Sequence, residues 1–238
     1  MIIALIPARG GSKRLPRKNI RAFDGRPLIY YSIAIAKANK EIGRCIVSTE
    51  DHEIAKVATE CGAEVIQRPM ELANDLTPTV SVAKHVLLEL AKEGNKPDAV
   101  VTLQPNCPLR PVNLLNKAIE LFLTNNVDSV VSVTVSHQKL GEIKGDYFIP
   151  SYPVGIRGQD LKPLYFENGL IYVSRTSDIF EQGNLFGSRV LPLLTDPLYA
   201  YGDIDTELDF EISEFIFKKF RDRFAFDLSC KMNGKVSK

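Results

Sequence analysis

The chain has 238 residues, of which 45% are hydrophobic and 25% are charged. These fractions are average for globular proteins and exclude a disordered chain or a chain of membrane spans, while a formal net charge of +1 gives no global attraction to nucleic acid or acidic lipid. A chain of this length hides about 70% of its unfolded surface on folding, which is enough for one main domain and a small appendage.

Apolar runs with strand character alternate with runs of helical period through the first 136 residues. The pattern predicts strands over residues 2–7, 44–48, 64–67, 99–104 and 129–135, and helices over residues 27–38, 50–61, 79–92 and 111–123. Residues 99–103 are almost entirely apolar, so helices should cover both faces of the sheet. This order of elements predicts an α/β fold with a mostly parallel sheet.

The alternation breaks after residue 136. Residues 137–168 carry prolines and turn residues without a helical period, which is typical of an insertion. The pattern then predicts strands over residues 169–174 and 189–194, a helix over residues 206–220, and a loosely ordered tail from Cys230. The final helix carries one apolar stripe, made of Leu208, Ile212, Phe215, Ile216 and Phe220. We therefore predict a main domain of residues 1–136 and 168–230, interrupted by a subdomain of residues 137–167.

The cysteines and the N-terminus indicate the compartment. The four cysteines form no CxxC pair, and the apolar start ends at Pro7 without a preceding basic region. We expect reduced thiols, a cytoplasmic protein and no membrane partner.

A basic, glycine-containing loop follows the first strand. Residues 9–21 carry six lysines or arginines and no acid, and Gly10 and Gly11 let the backbone approach a bulky anion. The loop leaves the carboxyl end of a strand, where open parallel sheets bind ligands. It matches neither the Walker A nor the dinucleotide motif, so it predicts a different triphosphate-binding loop. A solvated basic loop and a nucleic-acid contact are the alternatives, and the second is disfavoured because the loop lacks aromatic residues.

Two aspartates precede the last helix. Asp203 and Asp205 are two residues apart, on one side of an extended segment, and Mg²⁺ is often held by such carboxylates together with substrate phosphates. The alternative is that Asp205 caps the helix. Thr206 and Asp209 already form a capping-box pattern, which leaves Asp203 and Asp205 for a metal. A phosphate loop with such a site is what nucleotidyl transfer requires.

Five motifs in chain order resemble those of N-acylneuraminate cytidylyltransferases, also called CMP-sialic acid synthetases. They are PARGGSK (residues 7–13), LPRKN (15–19), LQPNCPLR (103–110), NGLIY (168–172) and DIDTELD (203–209). The resemblance implies a Rossmann-like fold of the nucleotide-diphospho-sugar transferase type, with a small inserted dimerisation subdomain that completes the neighbouring site of a homodimer. It also implies CTP and an acidic nine-carbon sugar as substrates and Mg²⁺ as cofactor.

The resemblance also implies roles for individual residues. The expected nucleotide-binding residues are Arg9, Gly10, Gly11, Ser12, Lys18, Asn19 and Arg68. The expected sugar-binding residues are Gln104, Lys139, Arg157, Gln159, Asn168 and Phe186. Asp203 and Asp205 are expected to hold Mg²⁺, while Lys18 and Arg9 offset the charge of the leaving pyrophosphate and Asp205 serves as proton acceptor.

The resemblance leaves alternatives for the substrate. Gly141 and Gly158 stand where the family's sialic acid enzymes carry cations, although Lys139 and Arg157 are near. A sialic or legionaminic acid is expected, and the alternatives are pseudaminic acid, an eight-carbon acid of the Kdo type or a sugar phosphate. A catalytically idle nucleotide-binding protein is the alternative outside enzymes, and the intact aspartate pair disfavours it.

Overall fold

The computed structural model describes residues 1–224 as a central sheet with helices on both faces. The strands of the described residues are β1 Ile2–Pro7, β2 Ala22–Phe23, β3 Arg26–Pro27, β4 Ile42–Thr49, β5 Glu64–Gln67, β6 Ala99–Thr102, β7 Ser129–Ser136, β8 Gly141–Lys144, β9 Tyr147–Pro150, β10 Leu164–Arg175 and β11 Val190–Leu194. The helices are α1 Leu28–Ala38, α2 His52–Glu60, α3 Thr79–Lys92, α4 Val112–Thr124, α5 Thr176–Glu181 and α6 Glu207–Lys219.

Seven strands form one sheet in the order β11-β7-β10-β6-β1-β4-β5. The neighbours β1/β4, β1/β6, β4/β5 and β7/β11 are parallel, and β10 runs antiparallel to both β6 and β7. The predicted Rossmann-like, mostly parallel sheet is therefore confirmed, with β10 as the exception. Because β1 and β6 are parallel neighbours, the segments that follow them emerge side by side at one edge of the sheet.

Two apolar layers cover the faces of this sheet. One packs α1, α4 and the aromatic face of α6 against it, and the other packs α3 together with Ile179 of α5. Alternate residues of β1 point into the two layers, with Ile2, Ala4 and Ile6 on one side and Ile3 and Leu5 on the other. This explains why the strand is apolar at every position.

The inserted segment differs from the prediction in detail. Strands β8 and β9 form an exposed hairpin, and β10 begins at Leu164, so the predicted boundary after residue 167 falls inside a strand. The first residues of β10 pair with the end of β7, from Leu164 opposite Ser136 to Glu167 opposite Val133. The insertion is therefore an outgrowth of two adjacent sheet strands.

The predicted apolar stripe of α6 is confirmed at Ile216 and Phe220, which pack in the core, and wrong at Leu208 and Phe215. Phe210, Ser213 and Phe217 face the core, whereas Leu208 and Phe215 are 63% and 62% exposed. Apolar residues occupy two faces of this helix, and period alone does not choose between them. Aromatic packing selects the Phe210 face, because the Phe210 and Phe217 rings lie edge to face with Phe23, at centroid distances of 5.5 and 5.4 Å.

Two buried thiols of the core, Cys45 and Cys107, stay protonated. Burial raises the pKa of Cys45 and of Cys107 to about 12, so both stay protonated near neutral pH. No helix in residues 1–224 has the length and hydropathy needed to cross a membrane. The predicted tail from Cys230 lies outside the described residues.

Candidate active site

A cleft of about 480 Å³ opens at the sheet edge where β1 and β6 end. Its walls come from the basic loop, from the segment after β6 and from two acids distant in sequence. They are Pro7, Arg9, Ser12, Lys13, Arg14, Lys18, Asn19, Asp75, Gln104, Pro105, Asn106 and Asp205. The structure thus brings together Arg9, Ser12, Lys18, Asn19, Gln104 and Asp205 of the predicted site residues.

Every cation of the basic loop is paired with a carboxylate. The pairs are Arg9 and Lys13 with Asp75 (2.8 and 2.6 Å), Arg14 and Lys18 with Asp205 (2.5 and 2.9 Å), Arg17 with Asp51 (3.0 Å) and with Glu53, and Arg21 with Glu207 (2.5 Å). The four cations that line the cleft share two aspartates. Positive charge therefore exceeds negative charge among these cleft groups, which suits a polyanionic ligand.

Lys18 joins the basic loop to the C-terminal aspartate segment. Its Nζ donates to the Ile204 carbonyl at 2.7 Å and to Asp205 Oδ1 at 2.9 Å. Beside it, the buried Asn19 donates from Nδ2 to the Arg9 carbonyl at 2.9 Å, which fixes the turn of the loop. The cleft cations are thus held by hydrogen bonds before any ligand arrives.

Of the two predicted metal ligands, Asp205 lines the cleft and Asp203 lies beside it, against the lining residue Asn106. Asn106 donates from Nδ2 to Asp203 Oδ1 at 2.7 Å, and burial together with the nearby Asp205 raises the pKa of Asp203. The capping box is confirmed, because Thr206 Oγ1 accepts from the Asp209 amide and Asp209 Oδ2 accepts from the Thr206 amide. The Asp205 amide also donates to Asp209 Oδ2 at 3.1 Å, but the side chains of Asp203 and Asp205 take no part in that cap.

The donor set fits Mg²⁺ only with help from a ligand. Within residues 1–224 no group of three or more histidine, cysteine or acidic side chains could hold a metal by itself. Two carboxylates beside a phosphate-sized cleft match the habit of Mg²⁺, which takes its other ligands from phosphate and water. Asp203 and Asp205 are therefore suited to a metal that enters with a phosphorylated substrate.

Gly10 and Gly11 line a neighbouring hollow instead of the cleft. The Gly10 amide donates to Glu50 Oε1 at 2.6 Å, and a Cβ on Gly10 would lie 2.5 Å from Asp51 Oδ2. The glycine is thus needed for close packing against the segment after β4. Its amide hydrogen bond is directed to the Glu50 carboxylate, and the predicted contact of Gly10 with phosphate stays a prediction.

Arg68 and Asn168 lie in the interior and line neither the cleft nor its hollows. Arg68 donates to the Ser48 hydroxyl and carbonyl, and burial lowers its pKa. Asn168 is 4% exposed and makes four hydrogen bonds, with Ser132, Thr134, Thr195 and the Leu170 amide. Both side chains therefore have structural hydrogen bonds within the fold, and their predicted ligand contacts stay predictions.

A second hollow, of about 250 Å³, adjoins the cleft at Gln104. The predicted Phe186 lies in its wall and stacks on Tyr172, with ring centroids 6.0 Å apart. The other lining residues are Pro78, Thr79, Val80, Glu167, Asn184 and Leu185. Gln104 therefore connects the cleft with a pocket that has both an aromatic and a polar wall.

The remaining predicted sugar ligands lie on the insertion. Lys139, Arg157 and Gln159 are exposed and line neither the cleft nor the second hollow. The Lys139 ammonium lies 5.5 Å from the Tyr152 ring centroid, and Arg157 is paired with Asp160 at 2.7 Å. Within one chain these residues are not part of the site.

Sequence reasoning missed several residues that shape the site. Asp75 pairs two cleft cations, Asn106 holds Asp203, and Arg110 donates from its Nη2 to the Gln104 carbonyl at 3.1 Å. Asn106 and Arg110 lie in the LQPNCPLR motif, which singled out the segment but not these contacts. Asp75 carries no signal of its own in the sequence.

Comparison with known proteins identifies the family of the chain. The family model described as Cytidylyltransferase matches residues 3–232. The chain is 32% identical over 225 residues to the CMP-N,N'-diacetyllegionaminic acid synthase of Legionella pneumophila, covering 90% of this chain and 94% of that protein. It is 31% identical over 225 residues to a pseudaminic acid cytidylyltransferase of Campylobacter jejuni, covering 91% and 96%. It is 32% identical over 216 residues to an N-acylneuraminate cytidylyltransferase of Streptococcus agalactiae, covering 87% of this chain and 51% of that protein.

Solved structures share the fold. A CMP:2-keto-3-deoxy-manno-octonic acid synthetase complexed with CTP superposes with a TM-score of 0.67 at 16% identity, covering 92% of this chain and 98% of that one. A 4-diphosphocytidyl-2C-methyl-D-erythritol synthase follows with a TM-score of 0.64 at 14% identity, covering 91% and 97%. Because the family model matches nearly the whole chain, the chain belongs to the cytidylyltransferase family.

Proposed function

We propose that the chain transfers CMP from CTP to the anomeric hydroxyl of a nonulosonic acid and releases pyrophosphate. The observation that carries the proposal is one cleft in which four loop cations share Asp75 and Asp205 and which opens, at Gln104, into a sugar-sized hollow. The names of the relatives, which are synthases or cytidylyltransferases of legionaminic, pseudaminic and N-acylneuraminic acids, support this class of acceptor.

In the proposed complex the triphosphate takes over the cations of the loop. Arg9 and Lys18 would exchange Asp75 and Asp205 for phosphate oxygens, and Ser12 would donate its hydroxyl. Asp203 and Asp205 would hold Mg²⁺, which neutralises phosphate charge when bound. The ion pairs of Arg9 and Lys18 would thus be replaced by charge-assisted hydrogen bonds to phosphate oxygens.

The proposed chemistry is an in-line displacement. The anomeric oxygen of the acid attacks the α-phosphorus, and the bond from that phosphorus to the bridging oxygen breaks as pyrophosphate leaves with the electron pair. The hydroxyl proton passes to a carboxylate of the aspartate pair. Asp205 is the proposed proton acceptor, because its carboxylate lines the cleft.

A pyrophosphate-release assay tests the proposal. Purified protein with CTP and Mg²⁺ should release pyrophosphate only when a nonulosonic acid is added, and chelation of the metal should stop the reaction. A panel of sialic, legionaminic, pseudaminic and eight-carbon acids compares the acceptors, and GTP or UTP in place of CTP is the nucleotide control. The proposed function would be contradicted if no acid led to pyrophosphate release, or if release were equally fast when no acid was added.

We propose further that the enzyme is a homodimer assembled through the inserted segment, in the cytoplasm. The β8–β9 hairpin exposes Ile143, Tyr147, Phe148 and Ile149, and the neighbouring start of β10 exposes Leu164, Tyr165 and Phe166. Exposed apolar side chains in such number on one segment are typical of a protein interface. Dimerisation through it would also give Lys139, Arg157 and Gln159 a route to the partner's site.

Charging this face should separate the subunits. Ile143, which is 72% exposed, is expected to tolerate Ile143→Glu as a folded chain, but the variant should become monomeric because a carboxylate would be buried in an apolar interface. Light scattering after size exclusion gives the mass. Leu208→Glu is the matched control, since Leu208 is 63% exposed but lies on α6, so this variant should stay dimeric. A monomeric, fully active wild type would refute the assembly.

A further inference from the structure

Glu167 is an acid in the wall of the hollow beside Gln104, and neither sequence motif nor metal site accounts for it. The Tyr172 hydroxyl donates to its Oε2 at 3.3 Å. Within residues 1–224 the structure records no cation paired with Glu167 and no hydrogen bond to its Oε1. The carboxylate thus presents a free acceptor beside the pocket that adjoins the cleft.

A distortion of β10 directs Glu167 to this position. Glu167 pairs with Val133 and Tyr172 with Val131, so five steps along β10 match two steps along β7. Such a bulge re-aims side chains, and here it brings the Glu167 carboxylate back to the Tyr172 hydroxyl. The buried Asn168 amide fixes the bulge through its bonds to Ser132 and Thr134, and Gly169 turns the chain with φ of +73°.

The surroundings of Glu167 are half apolar and half polar. Tyr172 is buried and stacked on Phe186, and both burial and the Glu167 charge raise its pKa, so its hydroxyl stays protonated and keeps donating to Oε2. The Gln104 side of the pocket opens into the cleft where the reacting hydroxyl must lie. An acceptor that fills both the cleft and this hollow would meet Glu167 with a part of the molecule other than its reacting hydroxyl.

An ionised carboxylate only accepts hydrogen bonds and repels another carboxylate. We infer that Glu167 determines acceptor specificity: it accepts a hydrogen bond from a hydroxyl or acylamino N–H of the acid sugar and keeps the sugar's own carboxylate away from this end of the pocket. The inference rests on the proposed function and assigns an orientation to the acceptor. A sugar without a donor at the matching carbon loses this contact.

Steady-state kinetics of Glu167→Ala and Glu167→Gln test the assignment. A charge-assisted hydrogen bond contributes roughly 1.5–3 kcal/mol, so Glu167→Ala should raise KM for the acid by about 10- to 100-fold and leave KM for CTP unchanged. Glu167→Gln, which keeps an acceptor oxygen without the charge, should give a smaller rise. Glu120→Ala is the control, because Glu120 is an exposed acid of α4 outside both the cleft and the hollow.

A panel of acids that differ by one hydroxyl or acylamino group identifies the contacted donor. The acid that lacks this donor should bind the wild type weakly and lose nothing further in Glu167→Ala, since the two changes remove the same contact. An unchanged KM for every acid in both variants would overturn the role of Glu167 alone. If the rise in KM disappeared at high protein concentration and the variant also shifted the subunit equilibrium, Glu167 would act at the subunit interface, and its role in specificity would be overturned. Absence of pyrophosphate release from the wild type with any acid would overturn the proposed function and this inference with it.

Discussion

Asp205→Asn is expected to lower kcat by at least about 100-fold while the protein stays folded and still binds CTP. The substitution removes a negative charge from the proposed metal pair and from the partner of Lys18 and Arg14. Both cations then lack that carboxylate, so the affinity for the triphosphate should be retained or increased. Initial rates of pyrophosphate release give kcat, and calorimetric titration gives the dissociation constant of CTP.

The control for this variant lies two residues further along the chain. Glu207 pairs with Arg21 at 2.5 Å and does not line the cleft, so Glu207→Gln should keep wild-type turnover. Full activity in Asp205→Asn would discard the metal assignment. Loss of CTP binding in the same variant would instead mean that Asp205 serves to orient the loop cations.

Arg110→Met is expected to destabilise the fold by about 3 kcal/mol, which for a chain of this size lowers Tm by roughly 6–12 °C. Arg110 is 1% exposed and donates to the Leu170 carbonyl at 2.6 Å, to the Ser32 hydroxyl at 3.1 Å and to the Gln104 carbonyl at 3.1 Å. Methionine fills a similar volume but leaves these acceptors buried without this donor. Thermal melts followed by circular dichroism measure the change.

The same variant should also lower kcat, since Arg110 anchors the segment that carries Gln104 and Asn106. Arg44→Met is the control, because Arg44 also has several hydrogen bonds but makes them to the exposed acids Glu64 and Glu93. Arg44→Met should lower the free energy of unfolding by less than about 1 kcal/mol. Equal melting temperatures for Arg110→Met and wild type would contradict the anchoring role.

The sequence pattern predicts the bounds of an element correctly where local residues alone determine them. Helix α3 and strand β5 have the predicted bounds, because apolar period and the residues at their ends act locally. The direction of β10 was not predictable in this way, since an apolar strand buried on both faces has the same composition whether it runs parallel or antiparallel. The predicted face of α6 was partly wrong, because the buried face depends on contacts with Phe23, a residue far away in sequence.

The sequence predicts the positive charge of the site but not the acids that pair with it. Six basic residues in one loop indicated an anion site, and the cleft contains four of them. The acids that pair with them, Asp75 and Asp205, come from distant segments, and only folding brings them to the loop. Arg68 and Asn168 have the chemistry of ligand contacts, and sequence alone does not distinguish such residues from polar groups satisfied in the interior.

The self-paired cations have a consequence for selectivity. Any anion that binds the loop cations must displace Asp75 and Asp205, which then rely on water because both side chains are partly exposed. Under the proposed function, a nucleotide bound to a divalent cation would pair the loop cations with its phosphates and Asp205 with its metal. The loop would then favour metal–nucleotide complexes over anions of equal charge that carry no metal.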